Sequence, residues 1–184
     1  MKFKHNFTII LLFTVAACFG QNKVMDIGLE VQAYPTGFIP GFRVEKSFTK
    51  KDLVGVRVGY QIIDHGDNGE HDDETGSGFG GSLGLKHYFN RYFTGPSLGL
   101  RTDLWVNKID WVTKLETGGE TTGSTDLIVV QPTFEFGWAF TMGEYLVLTP
   151  AAAFGFEINA KTKGEGTGQG AIFLAGLTVA YRIQ

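Results

Sequence analysis

From residue 24 onward, apolar and polar side chains alternate with a period of two. The clearest run is LVGVRVGYQIID, residues 53–64, in which Val54, Val56, Val58, Tyr60 and Ile62 share one face and Gly55, Arg57, Gly59 and Gln61 the other. That is the pattern of a β-strand whose two faces meet different surroundings. Eight such stretches follow one another: 24–34, 38–48, 53–64, 78–89, about 92–113, 126–141, 145–160, and a last one in which Leu177, Val179, Tyr181 and Ile183 oppose Gly176, Thr178 and Arg182. The pattern predicts an all-β, eight-stranded antiparallel up-and-down barrel, whose even strand number brings both chain ends to one side.

The connections differ in length. Turns at 49–52, 90–91 and 142–144 follow the second, fourth and sixth stretches, whereas polar segments at 65–77, 114–125 and 161–168 follow the third, fifth and seventh; the first connection, 35–37, is short. In a transmembrane barrel the short turns face the periplasm and the longer loops the exterior. One face of the strands carries Asp26, Glu30, Glu45, Asp103, Glu135 and Glu157 against Arg43, Arg57, Lys86, Arg101 and Arg182, with most of the strand glycines. Eight strands enclose a space only wide enough to be filled by side chains, and buried charge has to be paired. With this face inside, the lumen is a plug of ion pairs for which glycine makes room, and Arg101 and Asp103 are structural partners rather than a gate.

Parity by itself permits the reverse assignment, a soluble carrier with an apolar lumen. Length and context favour the membrane. The fifth to seventh stretches stay apolar on one face well beyond the roughly five or six residues of typical soluble strands. Phe48, Phe89, Tyr92, Trp138, Phe140, Tyr145 and Tyr181 gather at the ends assigned to the periplasm, as an interfacial girdle requires. Pro96, Pro132 and Pro150 run against the strand pattern, because proline lacks a ladder donor.

Composition changes the picture at the N-terminus. Lys2 and Lys4 precede an apolar run over 7–17, and small residues follow. The run is too short to cross about 30 Å of hydrocarbon as a helix and reads as an export signal. Cleavage after Gly20 gives a signal peptide of 1–20 and a single barrel domain of 21–184. The competing reading is a lipobox, Val15-Ala16-Ala17-Cys18, with Cys18 lipidated; a barrel already holds itself in the membrane, which favours the first. Cys18 is the single cysteine, so the barrel has no thiol or disulfide chemistry. Loss of Lys2 and Lys4 takes the formal charge from −3 to −5, a poor balance for binding nucleic acid. Mean hydropathy near zero excludes a helical membrane protein but not a barrel, whose apolar residues are diluted by alternation.

With these features the chain resembles the small eight-stranded outer-membrane barrels, the OmpA transmembrane-domain and OmpX group, and a signal ending Phe19-Gly20-Gln21 is similar to those of Bacteroidota. The last residues, Gly176 to Gln184, resemble the terminal signal read by the barrel assembly machinery, with Val179 and Tyr181 in its hydrophobic positions and Gln184 where an aromatic is usual. The resemblance implies residence in the cell outer membrane of a Gram-negative envelope, in contact with outer-membrane lipid and lipopolysaccharide. It also implies a non-enzymatic structural or surface-interaction role, with the outer loops turned toward any surface partner. A narrow channel for small or apolar solutes is the alternative, and a lipid-modifying enzyme a third. No peptidoglycan-binding domain follows, so wall anchoring is not expected.

Candidate chemistry is sparse. Residues 64–74 hold six carboxylates and two histidines. Set on a calcium loop, Asp64, Asn68 and Gly69 take positions 1, 5 and 6, but Gly66 fails at 3 and Thr75 at 12; the segment is expected to be a solvated acidic loop. His87 has lipid-facing parity, and barrels that deacylate lipid A carry a His and a Ser on the outer wall. Here no serine lies two residues on, and the depth is wrong for an outer-leaflet substrate. Gly78-Phe79-Gly80-Gly81 is not a phosphate loop, because no helix follows to present its N-terminus. The sequence therefore predicts no catalytic, cofactor-binding or metal-ligating residue, and no cofactor.

Overall fold

The computed structural model describes residues 24–66, 70–90 and 93–183; the export signal, Cys18, Asn68, Gly69, Tyr92 and Gln184 lie outside the described residues. Its strands are β1 (Met25–Tyr34), β2 (Gly37–Ser47), β3 (Asp52–Asp64), β4 (Asp73–Tyr88), β5 (Gly95–Leu115), β6 (Gly119–Met142), β7 (Leu146–Lys163) and β8 (Gly170–Ile183). They pair antiparallel in chain order, and β1 closes the barrel on β8 from Met25↔Ile183 to Ala33↔Ala175. Closure leaves no open edge in hydrocarbon, where each unpaired backbone group would cost several kcal/mol.

The alternation settles as an inverted barrel. On β3 Arg57 is 3% exposed and faces inward, while Val54, Val56, Val58 and Ile62 face out. On β5 the odd positions from Gly95 to Trp111 are buried, and Leu100, Leu104 and Val106 form the exterior. An apolar outside around a polar inside is the reverse of a soluble carrier. The apolar belt ends on β5 after Val106, where the outward residues become Lys108 and Asp110, and on β6 before Asp126 and Ser124. A membrane-crossing strand needs about 9–11 residues, whereas β5 has 21 and β6 has 24. The surplus rises beyond the belt at the end opposite the termini, called the crown below; the end with both termini is the base.

The connections differ from those the sequence pattern predicts. Residues 114–125 are not a loop: β5 and β6 continue as a paired hairpin to Leu115↔Gly119. Polar residues there mark solvent on both faces, while the threonines keep a pleated backbone favourable. In the same way β4 begins at Asp73 rather than 78 and β7 runs to Lys163, so the other crown connections shrink to 65–72 and 164–169. At the base, the connection expected at 90–91 spans 89–94, and Phe93, with φ 54°, turns its ring inward. The two ends therefore differ in how far strands extend, not in loop length.

Four prolines lie within strands, Pro40 among them. Pro40, Pro132 and Pro150 point outward, and beside each the ladder lapses on one side: β2–β3 between Phe38↔Ile62 and Gly41↔Gly59, and β6–β7 on either side of the segment Thr133↔Gly155 to Gly137↔Ala151. The other side stays paired, as Val31↔Pro40, Thr102↔Pro132 and Pro150↔Leu177. Pro96 is the second residue of β5. Each missing N–H is thus absorbed at a strand start or a break in one ladder.

If the belt meets lipid, Leu100→Arg costs about 2–4 kcal/mol, read as a lower urea midpoint of the compact, heat-modifiable form in phospholipid vesicles. Thr122→Arg on the crown stays within about 0.5 kcal/mol of the parent. Equal effects at the two positions would contradict the belt.

Candidate functional site: a filled lumen and a closed crown

The middle of the lumen is an ion-pair network contributed by β1 to β6. Glu30 receives Arg43, Arg57 (2.5 Å) and Arg101 (3.3 Å), with the Thr178 hydroxyl donating at 3.2 Å. Arg57 reaches Asp103 at 2.6 Å and Arg101 reaches it at 3.1 Å. Lys86 bridges Glu45 (3.0 Å) and Glu135 (3.2 Å), and Arg43 reaches Glu45 at 2.5 Å. Gln32 Oε1 accepts from Arg57 and Arg101 at 2.5 and 3.0 Å. Four acids meet four bases, so the layer is neutral, as desolvated charge requires. The cavity among Arg43, Glu45, Arg57, Lys86 and Arg101 measures about 20 Å³, room for about one water.

Apolar layers close the lumen above and below, which the expectation of an all-ionic plug did not include. On the crown side Trp105, 0% exposed, packs with Ile39, Ile63, Ile109, Leu127, Val129 and Leu174. Its indole N–H donates to Gln131 Oε1 at 2.7 Å, and the Arg57 guanidinium carbon lies 5.5 Å from its ring centroid, so Trp105 joins the two layers. Gly80 makes the fit possible: a Cβ there would stand 2.2 Å from Trp105 Cε3. At the base Leu53, Tyr88, Phe93, Ala139 and Val147 form a second apolar layer. Beside it Arg182 donates to both Asp26 oxygens at 2.7 and 2.6 Å and to the Phe93 carbonyl at 3.2 Å.

The crown is drawn together by Glu74. Its carboxylate, 0% exposed, accepts from the N–H groups of Glu70 (2.8 Å), His71 (3.2 Å) and Gly168 (3.3 Å) and from His65 Nδ1 (2.7 Å). Burial alone would raise its pKa; the His65, Gly168, Glu70 and His71 donors outweigh burial and hold it below the usual carboxylate range. The His71 ring stacks on Trp111 with centroids 4.2 Å apart, and its Nε2 donates to the Gly166 carbonyl at 3.0 Å. Trp111 N–H donates to Thr125 Oγ1, whose hydroxyl donates to the Glu165 carbonyl at 3.0 Å. His65, Glu70 and His71 are thereby tied across the mouth to residues 165–168.

The sequence-based expectations are met unevenly. Arg101 and Asp103 are paired inside, as expected. Glu157, counted among the lumen acids, accepts from the Gln131 amide at 2.5 Å rather than from a base. The solvated acidic loop is a correction: His65 and Glu74 are buried and organise the mouth, because Glu74 continues the inward parity of β4 past Gly76. Glu74 is occupied by these donors, and among the described residues no three metal-ligating side chains converge. His87 faces out with Nδ1 donating to Asp52 Oδ1 at 2.7 Å. The neighbouring Thr49 hydroxyl also bonds Asp52, so the carboxylate lies between hydroxyl and imidazole, the wrong order for an imidazole to activate a nucleophile.

The N-terminal β-barrel domain of Pseudomonas aeruginosa OprF superposes with a TM-score of 0.52 at 14% identity, covering 89% of this chain and 99% of that one. The chain has the fold of the small outer-membrane β-barrels. A major outer membrane protein from Thermus thermophilus gives the same TM-score at 13% identity, covering 89% of this chain and 100% of the other. No protein-family model matches the sequence, and no curated relative does.

Two measurements probe these layers. Glu30→Ala leaves guanidinium groups buried without their carboxylate and costs about 3–5 kcal/mol in urea unfolding from vesicles; Glu30→Ala paired with Arg57→Ala costs less than the two single changes summed. The Glu74 carboxyl is held below its unfolded value of about 4.3. Its contribution is therefore complete above that pH and lost as pH falls through the lower, folded value. Hydrogen exchange at the Glu70, His71 and Gly168 amides should accelerate relative to β-strand amides on acidification below about pH 4, and Glu74→Gln should show that acceleration already at neutral pH.

Proposed function

We propose that the chain is an exported integral protein of a Gram-negative outer membrane, with turns and termini of the base in the periplasm and the crown outside. Its role is non-enzymatic: a closed anchor that holds the β5–β6 hairpin above the membrane for surface contact. The observation that carries this reading is the filled lumen, apolar at Leu53 and Tyr88, ionic at Glu30 and Arg57, apolar again at Trp105, and bridged at the mouth by Glu74. A solute path would have to break charge pairs in a low-dielectric space, where removing one partner costs several kcal/mol. The exported surface lies in the hairpin. β4 begins opposite Val112 and β7 ends opposite Asp126, so residues 113–125 rise beyond their neighbours. One side of the hairpin is tied down where Asp72 accepts the Lys114 N–H at 2.6 Å.

Reconstitution into planar bilayers distinguishes an anchor from a channel. The folded protein should carry no steady current, while Trp105→Ala with Ile109→Ala, which empties the crown-side layer, should at most add brief openings. Sustained ohmic conductance of the parent protein would sink the closed-anchor reading.

A further inference from the structure

We propose that the outer wall carries a site for one glycerophospholipid with an anionic head group, seated in the leaflet next to the base. Two grooves on the wall, of about 330 and 540 Å³, share Leu85, Leu100 and Phe134 and so continue one another. The lower begins beside Phe48, Asp52 and His87 at the base; the upper ends between Thr102, Pro132, Phe154 and Phe156. The depression has a sequence cause. Thr102 and Pro132 face each other across the β5–β6 ladder, one step along from Leu100↔Phe134, so two short side chains interrupt a wall of leucine and phenylalanine. The floor of the groove is thus fixed by backbone pairing, not by mobile side chains.

The polar end is built as firmly. Asp52 takes the His87 Nδ1–H and the Thr49 hydroxyl, and both Asp52 and His87 line the lower groove. His87 lies edge-on to Phe89 at 5.8 Å. Lys51 Nζ donates to the Phe89 carbonyl at 2.8 Å, holding its ammonium on the same rim, and exposed Lys50 adjoins it. Asp52 offsets one of the two lysine charges, leaving a positive rim beside an apolar groove. Phosphate accepts from ammonium through charge-assisted bonds, and the groove accepts one acyl chain. In a bilayer the chain gains no hydrophobic energy by leaving its neighbours, since lipid tails are as apolar as leucine. Selectivity therefore resides in the head group and in the shape of the groove.

This site rests on the membrane orientation proposed above, and the test separates the two. Protein extracted from membranes in mild detergent is first shown to be folded by heat-modifiable gel migration, then examined by native mass spectrometry with equimolar phosphatidylglycerol and phosphatidylethanolamine. The parent protein should retain one phosphatidylglycerol. Lys50→Gln with Lys51→Gln should lower that occupancy about tenfold, the scale of one lost charge-assisted contact, and Thr102→Phe, which fills the groove from the lipid side, should lower it with heat modifiability intact. Equal retention of the two lipids, or retention unaffected by Thr102→Phe, would overturn the site while leaving the barrel standing. Failure to find a heat-modifiable form in the membrane fraction would overturn the architecture, and the site with it.

Discussion

The rest of the molecule depends on a charge balance struck inside the wall. Glu30 on β1 accepts from Arg43 on β2, Arg57 on β3 and Arg101 on β5, so one carboxylate ties four strands together across the lumen. Each of those cations reaches a second acid, which makes the layer a network and not a set of separate pairs. Such a layer is not a source of large net stability, because desolvating the ions offsets much of the Coulombic gain. What it supplies is specificity. A strand slipped by one residue would bring an arginine into hydrocarbon and a valine into the network, and both errors are expensive.

The two apolar layers follow from the same constraint. Charges pair well only where water is held out, and Trp105 on one side and Tyr88 with Phe93 on the other hold it out. Trp105 is the hinge of this arrangement: its ring faces Arg57, its N–H is satisfied by Gln131, and its volume is admitted by Gly80. The base adds the Asp26–Arg182 pair, formed between the first and last strands at the closing seam. Barrel closure and lumen filling are thus one event, since Glu30 reaches Arg57 and Arg101, and Arg57 reaches Asp103, between strands that are not neighbours in the wall and face each other only across a closed lumen.

Crown and base serve different surroundings. The base is short and aromatic, with Trp138 stacked on Phe140 and Tyr145 on Tyr181 along its rim, as a membrane interface favours. The crown is long and polar, and its mouth is bridged through Glu74 and His71 by hydrogen bonds that keep Glu70 and His71 in contact with Gly166 and Gly168. In the orientation proposed above the base meets a lipid interface and the crown open solvent, and the surplus length of β5 and β6 supplies that asymmetry.

Much of this was legible in the chain itself. Alternation determined the eight strands, their faces and the identity of nearly all the lumen acids and bases, because a period of two leaves each residue only two choices and hydrocarbon forbids one of them for charge. Parity also carried signals for the two residues overlooked: Trp105 follows Arg101 and Asp103 at odd positions, and Glu74 precedes Gly76 and Gly78 at even ones. Which face looked inward was not decided by alternation, since a charged exterior is equally regular. Strand ends beyond the belt escaped as well, because in solvent both faces may be polar and a paired hairpin then reads as a loop. The partners within the lumen, the three tiers and the tie across the mouth were decided by closure alone, which sets residues as distant as Glu30 and Thr178 side by side in a space whose size sequence does not record.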